Sequence, residues 1–313
     1  SLVGSEMCIR DRYNLNDPFT DGTMEEMNRI WRNTIINDTY EPGSTFKVIT
    51  ATAALDSGSV TLNNHYSCSG RIHVADRFVR CANARGHGAQ TFAQSLQNSC
   101  NPAFITWGLM TGKDNMVKYM ESLGLYSKTG VDLPGEAGSI IHKTENIKEL
   151  DLAIMSFGQS FQITPLQLLR AVSAVVNGGK LVTPHFGVKK IDTEGNISVL
   201  EYEESGTIIK QSTTETMRGL LKNVVELGGG LNCRIEGYSI AGKTATSEKL
   251  PRGNGKYIAS FIGIAPAENP QVIAMCIIDE PVGMHYGGVI AAPVVKSLFE
   301  NILPYLGIEK GQM

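Results

Sequence analysis

The sequence predicts an α+β domain, and two features along the chain carry that expectation. Through the first two thirds, apolar residues cluster in helix-length runs bounded by start and stop signals. In the last third the runs shorten, turn β-rich and are divided by Gly, Pro and Asn. Three such runs in succession with short connections favour an antiparallel sheet, because parallel strands need long crossovers. At 313 residues the chain is long enough to enclose a large core.

The run Thr45–Leu55 is apolar and small, opened by Pro42-Gly43-Ser44 and closed by Asp56-Ser57-Gly58, which predicts a buried helix. A polar, Gly-rich stretch follows to Gly88. A helical pattern over Thr91–Gln97 then leads into Asn98-Ser99-Cys100-Asn101-Pro102. Asp114–Leu123 and Pro165–Val176 read as amphipathic helices, the second stopped by Asn177-Gly178-Gly179. Ile208–Leu227 is helical with polar faces, and Tyr238–Ala241, Tyr257–Ala265 and Gln271–Asp279 are the expected strands.

Lys and Arg total 28 against 31 Asp and Glu, a net charge of −3, so no basic field points to nucleic acid or anionic lipid. No apolar stretch is long enough to span a membrane. Residues 1–12 lack the charged start and apolar run of a signal peptide and read as a foreign leader. The domain is therefore expected over 13–305, with a C-terminal tail at 306–313.

The candidate chemistry begins at Ser44-Thr45-Phe46-Lys47. A serine hydroxyl needs a base to become a nucleophile, and a lysine serves if burial or nearby positive charge lowers its pKa. Residues three apart share a helix face, so Lys47 would sit one turn from Ser44. Pro42-Gly43 would place Ser44 at the helix start, where backbone N–H groups favour developing negative charge. Alone, such a tetrad is what chance supplies in a chain of this length. Ser99-Cys100-Asn101 offers two polar side chains on one side of an extended segment. Lys243-Thr244-Ala245-Thr246, at the end of an apolar run, offers a cation and hydroxyls suited to a carboxylate.

Ser-x-x-Lys, Ser-x-Asn and Lys-Thr-x in that order form the signature set shared by penicillin-binding proteins and serine β-lactamases. Tyr40-Glu41-Pro42-Gly43-Ser44-Thr45-Phe46-Lys47 resembles the nucleophile motif of class B penicillin-binding proteins, nearest their spore-cortex and elongation branches. Phe157-Gly158-Gln159, Ile163-Thr164-Pro165-Leu166-Gln167, Asn177-Gly178-Gly179 with Thr183-Pro184, and Gly287-Gly288 with Ala291-Ala292-Pro293 extend the likeness over most of residues 13–305. It implies the β-lactamase-like transpeptidase fold, an antiparallel sheet of about five strands flanked by helices, with an all-helical lobe. It implies a D,D-transpeptidase that cross-links peptidoglycan stem peptides and is acylated by β-lactams, with no cofactor needed for catalysis. By that resemblance Ser44 attacks, Lys47 is the base, Ser99 relays a proton and Asn101 holds the substrate amide. Lys243 and Thr244 orient the terminal carboxylate, and the N–H groups of Ser44 and Thr246 form the oxyanion hole. The family also implies a place on the extracytoplasmic face of the bacterial membrane, an N-terminal anchor outside this chain, and a glycosyltransferase partner. Ala245 departs from the pattern, which has glycine where a side chain would crowd the substrate.

Two rivals stand beside this reading. A β-lactamase or β-lactam sensor shares the acylation chemistry, although no residue here is assignable as the water activator that hydrolysis needs. Gly237–Thr244 also fits the phosphate-binding pattern G-x-x-x-x-G-K-[ST] in full. That loop must run into a helix, whereas Pro251, Gly253 and Gly255 follow and the next run is β-like.

Cys68, Cys81, His87 and Cys100 are four soft or borderline donors, the number and kind for a tetrahedral zinc site. Some elongation-type members carry a metal-binding group at comparable positions. If zinc is held, the donor atoms should lie within roughly 4 Å of one another. The competing expectations are a disulfide, Cys81 with Cys100 or Cys68 with Cys81, as thiols oxidise outside the membrane, or unpaired buried thiols. His65, His73, His142, His185 and His285 stand apart and read as surface or core residues.

Overall fold

The computed structural model describes residue 24 and residues 32–311; the expected leader, and Cys8 within it, lie outside these residues. A short helix α1 (Thr34–Asn37) is capped by Asn33, whose Oδ1 accepts from Ile35 N. The nucleophile segment is a 3₁₀ turn, Gly43–Phe46, running directly into α2 (Lys47–Asp56). Every residue of α2 except Leu55 is buried, as its unbroken run of small and apolar side chains requires.

The Gly-rich stretch that carried no element in the sequence forms two short ladders. Strand β1 (His65–Cys68) pairs with β4 (Gly88–Thr91), and between them β2 (Arg71–Val74) pairs with β3 (Arg77–Arg80). Then come α3 (Phe92–Gln97), α4 (Asn101–Thr111), α5 (Lys113–Ser122), α6 (Glu149–Met155) and α7 (Pro165–Val176). Helices α3 and α7 start on capping boxes, Thr91 with Gln94 and Thr164 with Gln167, each threonine accepting from the glutamine N–H. Two peripheral ladders follow, β5 (Lys180–Val182) with β8 (Glu204–Thr207) and β6 (Lys189–Ile191) with β7 (Ile197–Val199). After α8 (Gln211–Leu227) the chain builds β9 (Ala241–Glu248), β10 (Tyr257–Ala265) and β11 (Val272–Asp279), then α9 (Gly287–Ile290) and α10 (Ala292–Tyr305).

The main sheet has the order β11-β10-β9, antiparallel throughout. Among the described residues it holds three strands where about five were expected. The chain beyond β11 folds into α9 and α10 and supplies no further strand. The expected strand at Tyr238–Ala241 reduces to its last residue. Tyr238 N donates to Ile235 O and Ser239 O accepts from Ala267 N, so these backbone groups are satisfied in turns.

Alternate residues of β10 serve two cores. Ile262 and Ile264 face the helical lobe, where Phe46, Val48 and Ile49 pack among Phe104, Trp107, Met120 and Leu221. Phe261 and Ala265 face Val295, Phe299 and Leu303 of α10. Replacing a fully buried aromatic such as Phe46 by alanine typically costs about 3–5 kcal/mol. The expected tail is docked: Gly311 N donates to Gly237 O at 2.9 Å and Tyr238 OH to Ile308 O at 3.0 Å.

Candidate active site

The nucleophile turn is held from behind by a backbone zipper. Tyr40 and Ile163 exchange N–H···O bonds at 3.0 and 3.1 Å, and Gly43 N donates to Gly158 O at 2.8 Å. Gly43 has φ +56°, and a Cβ there would meet Ser247 Oγ at 1.9 Å. A Cβ on Gly158, at φ +86°, would meet Gly43 O at 2.1 Å. Gly158 is needed for the approach of its loop to the nucleophile turn, and Gly43 for the approach of that turn to Ser247.

Lys47 is fully buried and its Nζ is the hub of the site. It lies 3.1 Å from Ser44 Oγ, 2.7 Å from Ser99 O, 3.2 Å from Ser99 Oγ and 2.6 Å from Asn101 Oδ1. Burial pushes its pKa down to about 7, against an opposing pull from Cys100 and Cys81. The two carbonyl oxygens only accept, so they take two N–H bonds of the amine. In the neutral amine the lone pair is then left for a hydroxyl, which is the arrangement a general base needs.

Ser99 and Asn101 reach the same amine by different means from those expected. Ser99 has φ +52°, Cys100 is extended, and Asn101 is the first residue of α4, so the motif is a sharp corner between α3 and α4 rather than an extended segment. The corner turns both polar side chains to Lys47 and buries Cys100 completely. Asn101 Nδ2 donates to Arg80 O at 3.4 Å, tying the corner to the end of β3.

Lys243 arrives from β9, almost fully buried, with Nζ 2.9 Å from Ser99 Oγ. Burial, and after it the charge of Lys47, hold its pKa well below the usual lysine range. The register pairs Lys243 with Ile262 and Thr244 with Phe261, so Lys243 faces the helical lobe while Thr244 faces α10. Thr246 shares the Thr244 face, where its Oγ1 accepts from Gly287 N at 3.1 Å. The structure thus gathers Ser44, Lys47, Ser99, Asn101 and Lys243 around two amines, and directs the Thr244 and Thr246 side chains to the other face of β9. Ala245 is buried on the Lys243 face, against the nucleophile turn.

Glu41 was part of the motif text but received no role in the sequence. Its Oε1 accepts from Ser160 N at 2.8 Å and its other oxygen pairs with Arg252 of the β9–β10 loop. One carboxylate therefore joins the nucleophile turn, the backing loop and the hairpin beside it. Its position directly before Pro42-Gly43-Ser44 was the available signal.

Residues 10–300 match the family described as "Penicillin binding protein transpeptidase domain". The chain belongs to that family. As a class B transpeptidase domain it is 39% identical over 285 residues to stage V sporulation protein D of Bacillus subtilis, covering 89% of this chain and 44% of that protein. It is 32% identical over 302 residues to the probable peptidoglycan D,D-transpeptidase PenA of Neisseria flavescens, covering 93% and 70%. The transpeptidase domain of Burkholderia pseudomallei penicillin-binding protein 3 superposes with a TM-score of 0.79 at 27% identity, covering 90% of this chain and 84% of that one. The phosphate-loop reading falls away, because Gly242-Lys243-Thr244 lies inside β9 and no helix follows it.

Beside the catalytic corner, this transpeptidase domain brings Cys68, Cys81, His87 and Cys100 together, all donor atoms within 4.8 Å of one another. Cys68 ends β1, Cys81 follows β3, His87 precedes β4 and Cys100 caps α4. Cys81 Sγ and His87 Nδ1 are 3.6 Å apart. Interaction with the neighbouring Cys100 thiol draws the Cys81 thiol well below the usual range, and the interaction with Cys81, with burial after it, pushes that of Cys100 up. The cysteines of the described residues are free thiols, so neither expected disulfide is formed. The donor spread is about 1 Å looser than the roughly 3.8 Å edge of a zinc–thiolate tetrahedron with 2.3 Å bonds. Three buried thiols and one imidazole are a donor set that suits zinc.

Proposed function

We propose that the chain is the catalytic domain of a peptidoglycan D,D-transpeptidase that works through a Ser44 acyl-enzyme. The observation that carries this reading is the approach of one buried amine, Lys47 Nζ, to Ser44 Oγ, Ser99 Oγ and Asn101 Oδ1 together. As Ser44 Oγ bonds to the penultimate D-Ala carbonyl carbon, its proton passes to Lys47. The C–N bond to the terminal D-Ala then breaks, and Ser99, hydrogen-bonded to both lysines, passes a proton to the departing amine. An acceptor amine attacks the ester in the second half, forming the new peptide bond and freeing Ser44. A β-lactam enters by the same first step, with its ring C–N bond as the one broken. The relatives called D,D-transpeptidases support the reaction class. Fluorescent penicillin should label the chain covalently and Ser44→Ala should abolish the label; wild-type labelling of that variant would remove Ser44 from the role.

No helix among the described residues is long and apolar enough to cross a membrane. The reading places the domain outside the cytoplasmic membrane, held there by a segment beyond this chain, beside a glycosyltransferase that makes the glycan strands. It also assigns structural zinc to Cys68, Cys81, His87 and Cys100. Bound there, the ion would tie the ends of β1 and β3 to the Ser99-Cys100-Asn101 corner and leave catalysis to the lysines and serines.

A further inference from the structure

The β2–β3 ladder has two faces of opposite character. Val74 is buried against Ile105, Ala153 and Phe157, with Ile72 and Val79 packed beside it. On the other face the register sets Arg71 against Arg80 and His73 against Phe78, and all four are exposed. The Arg71 guanidinium lies 4.7 Å from the Phe78 ring centroid, and the His73 ring lies 4.9 Å from it. Phe78 is nevertheless 61% exposed.

Like charges directly opposite one another weaken a ladder, so an Arg–Arg rung needs something to offset it. The Phe78 ring offsets it for Arg71 alone, and no carboxylate in this part of the chain does so. Between Asp56 and Lys113 the sequence holds Arg71, Arg77, Arg80 and Arg85 against Asp76 alone, on a chain whose net charge is −3. Among the described residues the ion pair of this segment is Arg77 with Asp76, at 3.9 Å on the exposed turn. Arg71 and Arg80 have no carboxylate partner among the described residues. The rung also adjoins the catalytic corner, since Arg80 O is the acceptor for Asn101 Nδ2.

We propose that Arg71 and Arg80 form a carboxylate-binding subsite at the rim of the cleft, which recognises an acidic side chain in the peptide being cross-linked. The inference rests on the transpeptidase reading, because a peptide seated at Ser44 and Asn101 is what brings an acidic residue to this rung. Two guanidinium forks grip a carboxylate bidentately, which fixes orientation as well as charge. Phe78 gives the aliphatic part of that residue an apolar seat.

The test compares two synthetic D-Ala-D-Ala peptides that differ by one Glu or Gln in the stem, using binding to the wild type and to the Arg71→Ala/Arg80→Ala double variant. The wild type should bind the Glu peptide about tenfold more tightly. In the double variant the ratio should collapse towards one, and Arg77→Ala, on the other face, should keep the wild-type ratio. Penicillin labelling of the double variant at the wild-type rate shows that it is folded, so a collapsed ratio is then not a loss of fold. Equal binding of both peptides by the wild type, or a preference that survives the double variant, overturns the subsite. Penicillin labelling of the wild type reports separately on the transpeptidase reading, so the two can fail independently.

Discussion

Lys243 Nζ donates to Ser99 Oγ at 2.9 Å across a sequence separation of 144 residues. Because Lys47 Nζ lies 3.2 Å from the same oxygen, Ser99 sits between two buried amines, both with lowered pKa values. A hydroxyl so placed can receive a proton from one lysine as it gives its own to a leaving group. Among the described residues Ser44 Oγ has the Lys47 amine beside it, so in the proposed reaction the labour divides: Lys47 for activating Ser44, and the Ser99–Lys243 pair for the departing amine.

Lys47→Ala should fold and yet acylate about 10²-fold to 10⁴-fold more slowly, the usual loss for a general base. Stopped-flow acylation by fluorescent penicillin measures it, and an unchanged rate would take Lys47 out of the mechanism.

The pH dependence follows from the same amine. Its folded-state pKa is about 7, and only the neutral form can take the Ser44 proton. The acylation rate should therefore fall about tenfold per pH unit below that value and level off above it. A flat profile across neutrality would mean that the amine does not titrate in this range.

Ala245→Gly should acylate faster, since it removes the methyl that the family pattern lacks from the strand face carrying Lys243. The same change should cost about 0.5–1 kcal/mol of stability through the flexibility of glycine in a strand. Equal or slower acylation would show that the buried methyl, packed on the nucleophile turn, has become part of the site's support.

Glu41→Ala should lower stability by roughly 1–3 kcal/mol, mainly because Ser160 N–H loses its acceptor. The partly exposed Arg252 pairing adds less. Acylation should slow as well, as the turn under Ser44 loosens. Thermal unfolding with acylation kinetics on one preparation separates the two effects.

Protein purified under reducing conditions should carry about one zinc per chain, and removing the metal should expose further reactive thiols at the cluster. If the metal is absent and thiol titration instead finds a pair oxidised, the disulfide reading takes its place.

The legible part of the site was the local part. Ser44 and Lys47 are three residues apart, and helical periodicity alone places them on one face. Lys243 could be matched to the site only through the family motif, because nothing local encodes a contact with Ser99. The sequence makes Ser99 look extended, since a non-glycine residue at φ +52° gives no compositional signal. Strands β1 to β4 give no clear signal because four-residue strands carry too little periodicity. Tyr238-Ser239-Ile240 looked like a strand for its β-rich composition, but its backbone partners lie in turns. The thiol and imidazole cluster was legible from residue type, while its convergence depended on those same unseen strands.

Strand β9 is an edge of its sheet, and among the described residues no strand pairs with the row of backbone groups beside Lys243. Such an edge can take up an extended chain, which suits the peptide substrate of the proposed reaction. The same openness invites a second copy of the protein to pair there. Glu248, Lys249 and Arg252 place charge at its far end, which discourages that pairing. In the proposed reaction a bound antibiotic would then act twice, consuming the nucleophile and covering part of an edge on which a second copy could pair.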